Sequence, residues 1–433
     1  MKIGSMKKWI FSSLSLLALT AIQAQTLSTS PYSAYGIGKG LFDNNTEQGG
    51  MGDISTLNLN PYGQSANFYN PAANQSLRMT TFNISLRGDN TQYKYNQNKE
   101  KSGTAYISNL SLAFPVSPKS RAGFGYQPYS TTGFDVIKVD STSTTPLNAQ
   151  YQGEGGINSV HAFYSYNVTP EISVGARANF LFGDQNKNEK ISVQGGSLIT
   201  DYDTKTSYSG YQFAIGTVYN KRIGDNHRLN IGATYTLGTK IKSQFTYYVS
   251  TYNYNGPTMI ALDTISYIHN KNAKTQLPNE FSFAASYGKD LKWNVAAEIK
   301  YAMWSDYSNP VYESNTSLTS NLQFKDSYRA ALGAYYIPNF NSYKSYLDRV
   351  IYRGGIYYER GNFNLNYHQI NNYGATLGFG LPVGKTNDAS MLNIALEYGK
   401  KGSTKHQLVQ ENYIGFRLGF DFNDIWFRKR VID

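Results

Sequence analysis

The 433-residue sequence contains no cysteine. That excludes a disulfide-stapled scaffold and any thiolate metal site. It also lacks a second long apolar run beyond its start, and its mean hydropathy is −0.47, so membrane-spanning helices are excluded. Long helical periodicity and Pro- or Ser-rich linkers are absent, which argues against a string of soluble domains. Only 16% of residues are charged. They include no basic run, so the net charge of +11 reads as scattered lysines in solvated loops and no nucleic-acid partner is expected. The five histidines, His161, His227, His269, His368 and His406, are dispersed without metal-ligand spacing, and no metal or cofactor is expected.

What is present begins with a leader. Lys7 and Lys8 precede a mostly apolar stretch, 9–22, containing Leu14, Leu16, Leu17 and Leu19, and Ala24 suits a cleavage site. Residues 1–24 are therefore expected to be a secretory signal. Removing them takes away Lys2, Lys7 and Lys8, leaving 11 − 3 = +8. A basic surface would favour anionic lipid headgroups, lipopolysaccharide or anionic solutes, though scattered lysines in solvated loops are the preferred reading.

The organising pattern is alternation. In 412–422, Ile414, Phe416, Leu418, Phe420 and Phe422 are apolar, whereas Tyr413, Gly415, Arg417, Gly419 and Asp421 are not. Side chains on a strand alternate faces, so one face is wholly apolar. A soluble β-sandwich shows the same feature, and recurrence has to decide. The pattern returns in sets such as Phe82/Ile84/Leu86, Val160/Ala162/Tyr164, Phe281/Phe283/Ala285/Tyr287 and Val350/Tyr352/Ile356/Tyr358. Fourteen such strands can be written, an even number as single-chain bacterial barrels require, with twelve or sixteen still compatible. The fold class is thus all-β, a transmembrane antiparallel barrel of about 14 strands over 77–433, in the outer membrane of a Gram-negative cell. Links alternate between tight turns, such as 115–118 and 289–292, and long polar stretches, including 184–209 and 242–276. The link near 360–364 is too short for that rule, so one outer connection is expected to be a tight hairpin.

Residues 25–76 do not alternate. Ser30-Pro31-Tyr32-Ser33-Ala34-Tyr35-Gly36-Ile37-Gly38 is turn-rich, and Gly49-Gly50-Met51-Gly52 needs backbone freedom. In Asn70-Pro71-Ala72, Pro71 forces Asn70 out of the helical region. Together with Leu277-Pro278-Asn279-Glu280 and Trp304-Ser305-Asp306-Tyr307, these motifs resemble the FadL/TodX-like outer-membrane transporters and, more closely, their Bacteroidota relatives. The resemblance covers nearly the whole chain after the leader. It implies a fourteen-stranded barrel in which the 25–76 segment folds inside as a hatch. The alternation of tight and long links places that hatch on the periplasmic side at the start of the first strand. Gly49, Gly50, Met51, Gly52, Asn70, Pro71 and Ala72 would then be its key residues.

Eight charges fall on the inward face: Arg87, Arg177, Glu298, Lys300, Arg329, Arg353, Glu397 and Arg417. Buried charges need partners, so pairing with one another or with the hatch is the first expectation. Spare arginines would instead suit an anionic head group. Ser159 and His161 share a face, but no third member accompanies them, and no catalytic residue is expected. The expected function, carried mainly by the resemblance, is passive passage of small hydrophobic or amphipathic molecules. The alternative is a non-transporting structural or accessory barrel of an outer-membrane assembly or export complex, binding outer-membrane protein partners. A continuous apolar pocket in the lumen would favour the first, and a lumen filled by paired charges the second.

Overall fold

The computed structural model describes residues 27–41, 45–140, 146–255, 258–309, 322–383 and 390–426. The leader expected at 1–24 lies outside the described residues. In chain order the strands are β1 (Lys39–Gly40), β2 (Thr80–Tyr95), β3 (Asn98–Pro115), β4 (Ser120–Thr131), β5 (Phe134–Asp140), β6 (Leu147–Asn167), β7 (Ile172–Val193) and β8 (Leu198–Ile223). Then come β9 (His227–Thr236), β10 (Lys240–Asn255), β11 (Thr258–Gln276), β12 (Glu280–Lys289), β13 (Trp293–Ala302) and β14 (Leu322–Phe324). The last five are β15 (Ser327–Tyr336), β16 (Ile351–Leu365), β17 (His368–Pro382), β18 (Met391–Lys401) and β19 (Gln410–Asp424).

All except β1, β5, β10, β11 and β14 form one antiparallel ring of fourteen. It closes where β19 pairs with β2, from Gln410↔Lys94 to Asp424↔Thr80. Closure leaves no ring edge, so the backbone polar groups of the wall are satisfied between strands. Every apolar set read from the sequence falls on one of these fourteen strands. Phe124, Phe283, Ile299, Leu332, Leu377, Ile414 and Phe416 point outwards and are exposed, forming the apolar band. Val350 departs from the pattern. It is buried, because a short 3-10 turn (Leu347–Arg349) precedes it and the strand begins only at Ile351.

The two ends of the barrel differ. At one end, links such as 116–119, 168–171, 224–226 and 290–292 are tight. At the other, β6, β7 and β8 continue far beyond the ring, β5 pairs with β6, and β10 joins the upper half of β8 and carries β11. The stretches 184–209 and 242–276, expected as long connections, are therefore largely strand. Outside the apolar band a strand needs no apolar face, so alternation does not reveal it. The tight hairpin expected near 360–364 is present, with β16 turning into β17 through Asn366 and Tyr367 at φ +50° and +64°, the backbone of a two-residue hairpin turn.

Among the described ladders of the ring, that between β3 and β4 is short. The β3–β4 ladder runs only from Leu110↔Tyr126 to Pro115↔Arg121. Above it, Thr131 and Ser130 of β4 pair with Lys39 and Gly40 of β1.

Candidate functional site

The described residues preceding β2, 27–41 and 45–79, lie inside the ring and are mostly buried. Their path starts at the tall rim. Ser30 Oγ donates to Glu411, Tyr32 OH donates to the Val409 carbonyl, and the Thr29 and Tyr93 hydroxyls share a hydrogen bond. The path ends at the short-turn end, where the Arg121 guanidinium holds the Leu77 carbonyl at 3.1 Å. The described segment thus runs from the tall rim to the short-turn end, where it enters β2.

With little regular structure, this segment satisfies its backbone through asparagines, as buried peptide groups require. Asn45 caps the single helical turn Thr46–Gly49 by accepting from the Gln48 N–H at 3.3 Å. Asn67 Nδ2 donates to the Ser55 carbonyl at 2.7 Å. Asn74 Nδ2 donates to the Asn67 carbonyl at 2.7 Å. Asn70 Nδ2 donates to the Thr56 carbonyl at 2.8 Å, while its Oδ1 accepts from the Ala72 N–H at 3.1 Å. Pro71 supplies the fixed φ for the 3-10 turn Pro71–Asn74. The four residues Gly49–Gly52 sit against the wall. A Cβ on Gly50 would lie 2.9 Å from Gly378 Cα, and Gly52 has φ +69°, so glycine is required for approach at one and for conformation at the other. Met51 is buried among Ala331, Tyr335, Ile351 and Tyr357.

All eight inward charges have partners. Glu298 Oε2 accepts from the Ser55 N–H at 2.8 Å and the Thr56 N–H at 2.6 Å, with Lys300 Nζ at 3.6 Å from its other oxygen. Arg417 donates to Glu397 at 3.1 Å and to Asp53 at 3.3 Å. Arg87 reaches Asp89 at 3.1 Å and Glu397 at 3.4 Å, and Tyr357 OH completes Glu397 at 2.6 Å. Arg353 bridges Asn393 at 2.9 Å and Glu47 at 3.5 Å. Arg329 donates to the Gly52 carbonyl at 2.6 Å, and Arg177 to the carbonyls of Phe68 and Tyr69.

The sequence reading missed Glu47, Asp53, Asp89 and Tyr357. A signal for the first two existed: two carboxylates flank Gly49-Gly50-Met51-Gly52 in a segment otherwise almost free of charge. Ser159 and His161 form no dyad. Ser159 Oγ makes no hydrogen bond, and His161 packs on the Phe68 ring at 4.5 Å. No cluster among the described residues could hold a metal ion. Leu277–Glu280 and Trp304–Tyr307 fold as rim corners. Asn279 Oδ1 accepts from the Gly238 N–H at 2.8 Å. Ser305 donates to Asp326, and with Tyr301 it holds that carboxyl below its usual range.

A lumen cavity of about 360 Å³ lies against this network, with charges of both signs in its wall, including Asp89, Glu280, Arg329 and Lys401. A larger, apolar hollow of about 870 Å³ opens on the outside of the barrel, between Tyr164, Val174, Ile215, Phe281, Phe283 and Ile299.

The fold recurs in solved outer-membrane channels. The P. putida toluene transporter TodX is 15% identical, with a TM-score of 0.60 over 89% of this chain and 99% of that one. The Pseudomonas aeruginosa FadL homologue is 13% identical, with a TM-score of 0.57 over 88% and 98%. The Ralstonia pickettii toluene transporter TbuX is 14% identical, with a TM-score of 0.55 over 88% and 99%. At such identities the likeness is one of fold. No curated protein matches the chain. A sequence-family model, BamG, matches residues 6–433, nearly the entire length. The chain belongs to the BamG family.

Proposed function

We propose that this protein is an accessory barrel of an outer-membrane assembly, in which residues 25–76 act as a fixed plug. On this reading the short-turn end faces the periplasm and the tall rim faces outwards. The observation that carries it is the polar lock across the lumen: Glu298 on two backbone N–H groups, Arg417 on Asp53, Arg353 on Glu47 and Arg329 on Gly52. Buried charges cost free energy unless paired and hydrogen-bonded, and stripping one partner typically costs about 3–5 kcal/mol. A plug held by several such pairs resists displacement by a hydrophobic solute, which offers them no replacement bonds.

Passage of small hydrophobic molecules is the second reading. It is supported by the fold shared with hydrocarbon channels and by the short β3–β4 ladder beside the two-residue β1. Reconstituted protein in dye-loaded vesicles separates the two. The accessory reading expects no flux of a hydrophobic dye through the intact barrel, and new ion conductance when 48–53 is deleted. Dye flux through the intact protein, matched to its dose, would establish the channel instead.

A further inference from the structure

One connection at the short-turn end breaks the rule of its neighbours. Its other fully described links are three or four residues long, whereas 337–350 joins β15 to β16. Long ordered loops that the barrel does not need for closure are where binding residues concentrate. This one is built rather than slack. The Asn339 N–H donates to the Asp348 carbonyl at 2.8 Å, and Ser342 Oγ donates to the Asp348 carboxylate at 2.9 Å. Tyr346 OH donates to the Pro382 carbonyl at 3.0 Å, and Tyr352 OH to the Leu347 carbonyl at 3.2 Å. Its inner limb reaches under the N-terminal segment, where the Phe340 and Tyr62 rings lie 5.3 Å apart.

The loop also exposes large apolar side chains. Asn339, Ser342 and Asp348 are spent on internal bonds, whereas Asn341 and Lys344 stay exposed. Tyr343 is 94% exposed and Leu347 65%, which is the residue chemistry of an interface anchor. Because the loop is already ordered, a partner would not have to supply its ordering entropy. The surrounding charge is positive. Lys344 and Arg349 belong to the loop, and Lys292 braces its start through the Pro338 carbonyl. The nearby Asp290 is already bonded to Arg228, and Asp348 is held by Ser342.

Resting on the accessory-barrel reading, we infer that the 337–350 loop docks a soluble periplasmic protein through an acidic-rimmed apolar recess. Tyr343 and Leu347 are its anchors and Lys344 sits at its rim. The acidic rim follows from charge complementarity, which steers encounter and fixes register. Because Phe340 touches Tyr62, the docked partner also bears on the base of the plug.

The test replaces Tyr343 with photoreactive p-benzoylphenylalanine in living cells, with the same probe at Tyr367, in a hairpin turn at the opposite end, as control. The expected result is one light-dependent adduct at Tyr343 and none of the same mass at Tyr367. Mass spectrometry should identify it as a soluble protein with an acidic surface. Leu347→Asp should reduce it about tenfold, and Lys344→Glu should weaken it more than Lys344→Gln does at low salt, with the gap closing as added salt screens the repulsion. Unchanged migration of the unheated folded band keeps misfolding out of the comparison. Lipid adducts alone would make the loop a membrane anchor and overturn the proposal, as would no protein adduct or an adduct indifferent to Leu347→Asp. A probe at Phe283 that captures another barrel while Tyr343 captures nothing would leave the accessory reading standing and remove this site. Dye flux through the purified protein would remove the reading itself.

Discussion

The two sides of the lumen hold the same N-terminal segment by opposite chemistry. On the arc from β13 through β15–β19 to β2, the wall presents Glu298, Lys300, Arg329, Arg353, Glu397, Arg417 and Arg87, and the segment answers with Glu47, Asp53 and backbone N–H groups. On the arc β3–β4–β6–β7 the inward face is largely neutral. Asn109, Gln127, Ser159, Ser165 and Asn179 are buried, each with a side-chain polar atom that finds no partner. Here the segment is seated by packing, with Phe68, Ala66 and Leu77 against Phe163 and Ala113. Arg121, Arg177 and Lys187 of this arc bind backbone carbonyls of the segment rather than carboxylates. One arc holds the segment through ion pairs with its carboxylates, the other through packing and hydrogen bonds to its backbone carbonyls. The charge pairing is confined to the first arc, and the second adds most of the apolar burial.

That contrast can be broken from either side. Glu298→Ala leaves Lys300 and two buried N–H groups without their acceptor, and Phe68→Ala empties the packed side. Each is expected to cost about 3–5 kcal/mol, the first through an uncompensated charge and the second through a cavity. Hydrogen exchange of the 46–77 amides reads both, since it reports local opening. Equal protection in Glu298→Ala and wild type would refute the polar lock. Glu397→Gln keeps shape but removes the charge shared by Arg87 and Arg417. It should cost about 1.5–3 kcal/mol, with loss of protection centred on the Asp53 region rather than on Phe68. The smallest effects belong to the neutral wall. Ser159→Ala removes a buried hydroxyl that makes no bond, so exchange and thermal unfolding should stay within about 0.5 kcal/mol of wild type or shift towards greater stability. A loss of several kcal/mol there would mean that the two arcs are alike after all.

The wall was open to sequence reading because a lipid-facing strand obeys a strict period. Phe416 is exposed on the outer face and Arg417 is buried on the inner one, as their alternation requires. The same rule failed above the band, where β10 and β11 carry polar residues on both faces. It also failed at Val350, which belongs to a loop. The inward charges were legible as positions but not as pairs, because a cross-lumen contact such as Arg353 with Glu47 joins residues with no periodic relation. The glycine motif was legible as a need for freedom. That its neighbours would be wall glycines such as Gly378 follows only from the closed ring. Loop 337–350 gave no signal at all, since nothing in its composition distinguishes a folded turn from a slack one.

The route of the N-terminal segment also sets an order of events. Ser30 is bonded to Glu411, Tyr32 to Val409, and Asp53 to Arg417, so some of the earliest residues of the chain are fastened to its last strand. Loop-closure entropy must be met before contacts that remote form, and topologies rich in them fold slowly. Until β19 arrives the segment lacks its fastening at Ser30 and Asp53, and until the segment is seated Arg417 lacks its Asp53 partner. A nascent chain stalled before residue 410 should therefore hold the described residues from Ser30 to Asp53 in a more protease-sensitive state, and that segment and β19 should become resistant together.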